Sequence, residues 1–196
     1  MSYFRKQPIN QDKKLQAYII GVALGDGNLS NSNKRAVRLR ISCDKKYPLL
    51  IEGIIKNISL LLPKNKISII NRKNCIDISC YSNHWTKLLW DWNKGPKDIQ
   101  NVSVPKWIKE DLKLSKECLR GLFQTDGSIY KDRKYLMVNF VNTTPNLSND
   151  VFSMIKNLGY SPNLQKLKQL NGKTKHTIRI SKDSEKFIKE IKFWKK

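Results

Sequence analysis

The amino-acid sequence predicts an α+β protein built of two pseudo-symmetric halves, each with the element order αββαββα. An apolar segment ending in Asp-Gly, at residues 19–27, recurs 100 residues later at 119–127. After each copy, the hydrophobic pattern alternates between helical and strand periods in the same order. Turn residues separate these elements at corresponding places in the two halves. We therefore interpret the chain as an internal duplication.

The repeated segment is predicted to be a buried helix with a glycine in mid-face and a carboxylate in its last turn. The glycines are Gly21 and Gly121, and the carboxylates are Asp26 and Asp126. A helix C-terminus already carries partial negative charge, so an Asp is unfavourable there. A core helix followed by a turn would explain one copy. Two copies that keep the unfavourable carboxylate indicate a bound divalent cation.

The elements of the first half follow from capping and alternation. Asp12 is the predicted N-cap of a helix over residues 13–25. The alternation at 35–42 predicts a strand that has one apolar face and places Arg38 and Arg40 on the other face. The remaining elements are a helix over 48–62, a hairpin of strands 66–70 and 75–81 with Ser68, Asp77 and Ser79 facing outward, and a short helix over 84–92.

A segment with Gly95-Pro96 and Pro105 breaks the pattern and is the predicted linker, residues 94–114. The first half then spans residues 1–93 and the second spans 115–196. Ser115 is a possible cap for the second motif helix. The later elements are a strand over 135–141, a helix over 147–158, a hairpin with the two-residue loop Asn171-Gly172, and a closing helix over 183–194.

The charge of the chain favours a polyanionic partner. Lys and Arg number 38 against 16 Asp and Glu, for a net charge of +22, and the excess is spread evenly over both halves. A basic tail on a neutral domain is therefore excluded, and nucleic acid is the expected partner. We expect no membrane span, because no run of about 18 apolar residues occurs. No secretion signal or CxxC pair is present, so we expect reduced thiols and a reducing compartment that contains DNA, either a cytoplasm or an organelle.

These features together resemble the LAGLIDADG homing endonucleases. The resemblance rests on the two nine-residue motifs, the repeated element order, and Pro105, Trp107 and Ile108 before the second motif, and it covers nearly the whole chain. It implies that the motif helices pack against each other at the centre. It also implies two saddle-shaped antiparallel sheets in the major groove of double-stranded DNA, and a monomeric protein.

The resemblance implies catalysis at the two motif ends. Asp26 and Asp126 would bind catalytic metal, aided by the main-chain carbonyls of Gly25 and Thr125. Hard oxygen ligands at an open site suit Mg²⁺. We expect Mn²⁺ to substitute and Ca²⁺ to support binding without cleavage. The product would be a staggered double-strand cut with short 3′ overhangs.

Further catalytic residues are implied by similarity near the ends of strands. Lys45 is the candidate in the first half, although Asp44 before it departs from the commoner Gln-Lys pattern. Asn142 and Lys182 are the candidates in the second half. All three could instead be solvated surface groups.

The outward faces of the sheets would determine specificity, and because these faces differ, we predict a long non-palindromic target. The predicted DNA contacts are Arg35, Arg38, Arg40, Lys66 and Ser68 in the first half, and Tyr135, Asn139, Lys166, Lys168, Lys175, Thr177 and Arg179 in the second.

Two other functions are compatible with the same features. An RNA maturase, a helper in intron splicing, would keep the fold and charge, with intron RNA as its partner. A non-catalytic DNA-binding regulator would keep the scaffold and tolerate loss of the carboxylates. Intact Asp26 and Asp126 favour the nuclease.

Overall fold

The computed structural model describes residues 8–31 and 35–194, and it contains the predicted duplication. Each half has the order αββαββα, as predicted. The first half consists of α1 (Lys13–Asp26), β1 (Gly27–Ser30), β2 (Arg38–Asp44), α2 (Pro48–Leu61), β3 (Ile67–Asn71), β4 (Cys75–Tyr81) and α3 (Trp85–Leu88). A 3₁₀ turn at Trp92–Lys94 and the short helix α4 (Lys106–Lys109) follow. The second half consists of α5 (Leu112–Asp126), β5 (Gly127–Asp132), β6 (Tyr135–Asn142), α6 (Pro145–Asn157), β7 (Asn163–Lys168), β8 (Thr174–Ile180) and α7 (Ser184–Ile191).

The strands form two antiparallel sheets with the same topology. Their orders are β1-β2-β4-β3 and β5-β6-β8-β7. Helices cover one face of each sheet and enclose a separate hydrophobic core in each half. Helix α1 contributes to both cores, because Ile19 and Val22 face the first, while Ile20 and Leu24 face the second. The two halves are thereby joined through their motif helices.

Helices α1 and α5 pack at very close range through their glycines. A Cβ on Gly21 would lie 3.0 Å from the carbonyl carbon of Cys118 and nearer still to its oxygen. A Cβ on Gly121 would lie 2.6 Å from the backbone nitrogen of Val22. Real Cβ atoms do not approach backbone atoms this closely, so glycine is required at both positions. The two-helix seam predicted from the sequence is confirmed.

The capping of the motif helices was predicted correctly for one helix and wrongly for the other. Asp12 caps α1 by accepting hydrogen bonds from the backbone of Lys14 and Leu15. Helix α5 begins earlier than predicted, because Asp111 accepts the equivalent bonds and Ser115 lies inside the helix. Ser115 instead donates to the Ile108 carbonyl. The proposed boundary at residue 115 thus falls within a helix, and the division into domains stays a prediction.

Several other local predictions need correction. Helix α3 ends at Leu88, so the 84–92 helix is wrong, and Trp92 starts a 3₁₀ turn. The β7–β8 loop is longer than two residues: Lys168 pairs with Thr174, and Gly172 has a φ of 78°. An αL glycine at the end of a type I turn is the usual way to close such a loop. Residues 32–34 of the first predicted turn lie outside the described residues.

Among the residues that the structure describes, no helix is long and apolar enough to cross a membrane.

Candidate active site

The two motif carboxylates meet at one end of the helical seam. Helix α1 ends at Asp26 and α5 ends at Asp126, and in each case a strand begins at the next residue. A Cβ on Gly25 would lie 2.7 Å from the Cβ of Thr125. Because the helices touch one residue before each Asp, their C-terminal ends are side by side. This packing concentrates two carboxylates and two sets of helix-end carbonyls in one place.

The ammonium group of Lys97 lies at this end of the seam. Its Nζ donates a 2.7 Å hydrogen bond to the Leu24 carbonyl and a second bond to the Gly25 carbonyl. Burial lowers the pKa of Lys97 below its usual value, and the nearby carboxylates of Asp126 and Asp26 oppose that shift. The seam therefore accepts a cation at the point where the sequence predicts a metal.

Sequence reasoning missed Lys97 and assigned it to the linker. Its only local signal is its place after the Gly95-Pro96 turn, and nothing there distinguishes it from the other lysines of a very basic chain. The fold brings it to the site, since the linker runs beside α1 and Trp90 packs against both cores. The contact joins residues more than 70 positions apart.

The donor set fits a divalent cation of the Mg²⁺ type. Within residues 8–31 and 35–194, no group of three or more His, Cys, Asp or Glu side chains could hold a metal. The available ligands are therefore the carboxylates of Asp26 and Asp126 and main-chain carbonyls such as that of Gly25. For Thr125 the predicted ligand is the main-chain carbonyl, and its hydroxyl donates to the preceding turn of α5. An ammonium on the Gly25 carbonyl shows that positive charge is stabilised there.

Asn142 lies beside the second carboxylate. Its Nδ2 donates a 2.8 Å hydrogen bond to Oδ2 of Asp126, and its Oδ1 accepts one from the backbone of Thr144. Both ends of the amide are thus fixed, which sets the orientation of the Asp126 carboxylate. The structure brings this candidate residue to the site, while its catalytic role stays a prediction.

The equivalent position in the first half is occupied by a different residue. The glycine after each motif helix pairs with the second strand, at Ile41 in one half and at Phe140 in the other. Cys43 and Asn142 lie two residues farther along these strands and are therefore equivalent. Cys43 is buried, and a thiol is a weak hydrogen-bond donor. The environments of Asp26 and Asp126 thus differ.

The two candidate lysines lie in different places. Lys45 follows β2 at the same end of the sheet as Asp26 and is exposed, with its backbone N–H bonded to the Asn74 carbonyl. Lys182 follows β8 at the opposite end from Asn142, which pairs with His176. Six residues of extended chain span about 20 Å. The structure therefore does not bring Lys182 beside Asn142, and its catalytic role stays a prediction.

The first sheet has the predicted polar face. Arg38 and Arg40 alternate with buried residues on β2, and Arg40 and Ser68 lie on the same face because both pair with Ser79. Lys66 precedes β3 and Arg35 precedes β2, and both are exposed.

The second sheet confirms some face assignments and contradicts others. Asn139 pairs with Arg179, and Thr177, Lys175 and Tyr135 share this face by alternation. Lys166 instead pairs with His176, and Lys168 pairs with Thr174, so both lysines lie on the opposite face. The prediction that they lie on the outward face is wrong, because the β7–β8 loop is longer than the predicted two residues and the register of β7 differs accordingly.

Comparisons with known protein families match both halves. A family model described as a LAGLIDADG-like domain matches residues 114–192. A second family model, described as a WhiA LAGLIDADG-like domain, matches residues 15–76. Each match contains one complete nine-residue motif, 119–127 in the first case and 19–27 in the second.

Solved structures with this fold include a nuclease and a WhiA protein. The homing endonuclease I-DmoI, solved in complex with DNA and Mn, has a TM-score of 0.66 at 19% identity, covering 91% of this chain and 96% of that chain. The N-terminal LAGLIDADG domain of DUF199/WhiA has a TM-score of 0.64 at 14% identity, covering 95% of this chain and 87% of that chain. At these identities the likeness shows the fold alone.

A curated relative matches over part of its length. The replication factor C small subunit of Methanocaldococcus jannaschii is 29% identical over 133 residues, which is 61% of this chain and 7% of that protein. The match is therefore to a short segment of a much longer protein.

Proposed function

Because this chain belongs to the LAGLIDADG family as a single-chain protein with two motifs, we propose that it is a site-specific, metal-dependent double-strand DNA endonuclease. The observation that carries the proposal is the convergence of Asp26, Asp126 and Lys97 at the end of the α1–α5 seam. A purely structural helix crossing has no need for two carboxylates and a buried ammonium at one point. Phosphodiester hydrolysis needs this combination of charges.

Each residue of the site has a distinct task in this proposal. Asp26 and Asp126 hold the metal with the Gly25 carbonyl, one carboxylate for each DNA strand. A divalent ion at this position supplies Lewis-acid activation of water and stabilisation of the leaving oxygen. Asn142 orients Asp126 through its hydrogen bond. Lys97 places positive charge beside the phosphate that is cut.

The proposed metal is Mg²⁺, with Mn²⁺ as a substitute and Ca²⁺ as an ion that supports binding alone. Carboxylates and carbonyls at an open site suit these hard cations. Structures of I-DmoI contain DNA with Mn, with Ca, and with Mg. The likeness in fold makes these ions the first to test.

The proposed substrate is a long, non-palindromic DNA duplex. A net charge of +22 favours phosphate binding over both halves. Arg38 and Arg40 on one sheet, and Asn139 and Arg179 on the other, give the two faces different donors and acceptors. The proposed cut is staggered, with short 3′ overhangs.

The test uses a library of randomised DNA duplexes incubated with the full chain and Mg²⁺. We expect cleaved products with a shared sequence from the wild type and none from Asp26→Asn or Asp126→Asn. Both variants should still select the same sequence by binding in Ca²⁺. Glu52→Gln, an exposed carboxylate on α2, is the matched control and should cut normally. No cleavage by the wild type would overturn the nuclease proposal.

A non-catalytic DNA-binding regulator is the second candidate. It is favoured by the WhiA family match in the first half and by the WhiA structure that covers 95% of this chain. In that case the wild type would select a DNA sequence in Ca²⁺ and in Mg²⁺ without cutting it. The two motif substitutions would then change stability but not the outcome with Mg²⁺.

A further inference from the structure

A buried carboxylate lies on the polar face of the first sheet. The sequence predicts that Asp77 faces outward, and alternation does place it on that face, beside Ser42 on the neighbouring strand. However, its side chain is only 3% exposed. Its register neighbours are Ser42 on β2 and Ile70 on β3. An ionised carboxylate is costly to bury unless it is hydrogen-bonded. The hydrogen-bond partners of Asp77 therefore indicate what it does.

Both oxygens of Asp77 are hydrogen-bonded. Ser42 Oγ donates to Oδ1 at 2.6 Å, and Arg72 Nε donates to Oδ2 at 2.6 Å. The hydrogen bonds from Ser42 and Arg72 hold the pKa of Asp77 below its usual value, and the charge of nearby Arg40 adds to the effect. Asp77 therefore stays ionised at neutral pH. At 3% exposure, its carboxylate offers almost no surface to a DNA base.

Arg72 is held by one edge and exposed at the other. It lies in the β3–β4 turn, where its backbone N–H bonds to the Cys75 carbonyl. Its side chain is 54% exposed, and Asp77 is its side-chain partner among the described residues. Since Nε is engaged, the exposed terminal NH₂ groups remain for a ligand. A guanidinium fixed in this way loses little conformational freedom on binding.

The cluster lies near the candidate cleavage centre. Ser42 follows Ile41, which pairs with Gly27, and Gly27 directly follows Asp26. The bases that this cluster can reach are therefore close to the cut.

The second sheet has no such cluster at the equivalent place. The pair that corresponds to Ser42 and Asp77 is Val141 and Thr177, which are partners in register. These side chains offer methyl groups and one hydroxyl in place of the hydroxyl of Ser42 and the carboxylate of Asp77, so no carboxylate is available there to hold a guanidinium. The difference is confined to one side of the cleavage centre, so it can contribute to target asymmetry.

We propose that Arg72 recognises a guanine in the major groove beside the cleavage centre, on the first-half side only, and that Asp77 and Ser42 are positioning residues for it. A guanidinium donates two parallel bonds to guanine O6 and N7, an arrangement that no other base offers. The inference rests on the proposed DNA-binding function and adds the identity of one base pair.

The experiment measures sequence preference by binding, independently of cleavage. The full chain selects duplexes from a randomised pool in Ca²⁺, and dissociation constants are then measured with each base pair at each selected position. The wild type should prefer a guanine at one position next to the centre. Arg72→Ala should reduce that preference about tenfold or more and leave the other positions unchanged.

Two further variants and one control make the positioning role testable. Asp77→Asn and Ser42→Ala both keep Arg72 and should weaken the same guanine preference. The effect of Ser42→Ala should be smaller than that of Asp77→Asn. Lys73→Ala removes an exposed cation from the same turn and should weaken binding to all sequences evenly. Circular dichroism shows whether each variant is folded. If Asp77→Asn does not fold, Ser42→Ala alone tests the positioning role.

The outcomes separate the inference from the function. An even loss of affinity in Arg72→Ala, with a smaller salt dependence, would assign Arg72 to a phosphate and overturn the guanine contact. An unchanged preference in Asp77→Asn and Ser42→Ala would overturn their positioning role. If the wild type selects no sequence at all, the proposed site-specific function fails as well.

Discussion

The two halves of this protein share a backbone plan but have different side chains around their motif carboxylates, Asp26 and Asp126. Asp26 and Asp126 end equivalent helices and are followed by equivalent strands. Yet Asn142 fixes Asp126, while buried Cys43 holds the equivalent position near Asp26. Lys97 bonds to the end of α1, in the first half.

The sheets show the same contrast. The first has Ser42 and a buried carboxylate that holds the guanidinium of Arg72, and at the places of Ser42 and Asp77 the second has valine and threonine. Both halves have glycine where α1 and α5 cross, because a side chain on Gly21 or Gly121 would collide with the partner helix. The side chains on the polar faces of the two sheets, in contrast, differ between the halves. The two halves therefore share their backbone arrangement, and they differ in a few side chains around the carboxylates and on the sheets.

The largest expected effect tests the close packing of helices α1 and α5, which the two halves share. Gly121→Ala should lower the free energy of unfolding by more than about 3 kcal/mol, because its Cβ would lie 2.6 Å from a backbone nitrogen of α1. The measurement is chemical denaturation at equilibrium. Gly53→Ala is the control, since nothing lies within 4 Å of a Cβ there, and it should stabilise helix α2 by about 0.5–1 kcal/mol. If both substitutions had equal effects, the close seam would be wrong.

The next effect tests the cation at the seam. Lys97→Met should destabilise the chain by about 1–3 kcal/mol in the presence of a chelator, because two carbonyls lose a charged donor and two carboxylates lose a counter-charge. Added Ca²⁺ should raise the melting temperature of the variant more than that of the wild type.

Lys94→Met, on an exposed neighbouring lysine, is the control and should leave stability nearly unchanged. Equal responses of Lys97→Met and wild type to the chelator and to Ca²⁺ would show that Lys97 does not balance the charge of the site.

The difference between the two carboxylates predicts unequal cutting of the two strands. Asn142→Ala removes the hydrogen bond that orients Asp126, and loss of such an outer-shell bond costs about 10–100-fold in activity. We expect one strand to be cut more slowly, so that nicked DNA accumulates. Duplexes labelled on either strand report each rate separately. Asn149→Ala, an exposed amide on α6, should change neither rate; equal slowing of both strands by Asn142→Ala would contradict a local role.

The smallest expected effect concerns the ion pair that links the linker to the β7–β8 loop. Lys173 Nζ lies 2.6 Å from Asp98 Oδ2 and is about half exposed. A double-mutant cycle with Asp98→Asn and Lys173→Met should give a coupling below about 1 kcal/mol, which falls further in high salt.

The pH dependence of this pair has a definite sign. The hydrogen bond from Lys173 holds the pKa of Asp98 below its usual range. The stabilisation is therefore present at neutral pH and is lost as pH falls below about 4 through the lowered pKa, because only the ionised form is paired. Thermal melts of the wild type and Asp98→Asn should converge at acid pH. A constant difference between them would contradict the pairing.

Local patterns in the sequence predicted most of the fold. Apolar periodicity located both motif helices and the order of strands and helices, because burial of one face leaves its period in the sequence, and the residue type of Asp12 predicted the cap of α1. The pair Gly21 and Gly121, with Asp26 and Asp126, was visible because duplication repeats a pattern at a fixed distance. Predictions failed where contacts beyond the local pattern determine the structure. Examples are the cap of α5 and the register of Lys166 and Lys168.

The sequence by itself thus determined two equivalent motif helices, each with a glycine in mid-face and an Asp in its last turn, and the order of strands and helices, since these depend on local spacing. Only the tertiary structure decided which charges meet. Lys97 and Lys182 are both lysines outside regular elements, yet one contacts the helix end and the other lies at the far end of its sheet. The physical reason is that electrostatic and hydrogen-bond energies depend on distances in space, and the chain order does not encode these distances for residues so far apart.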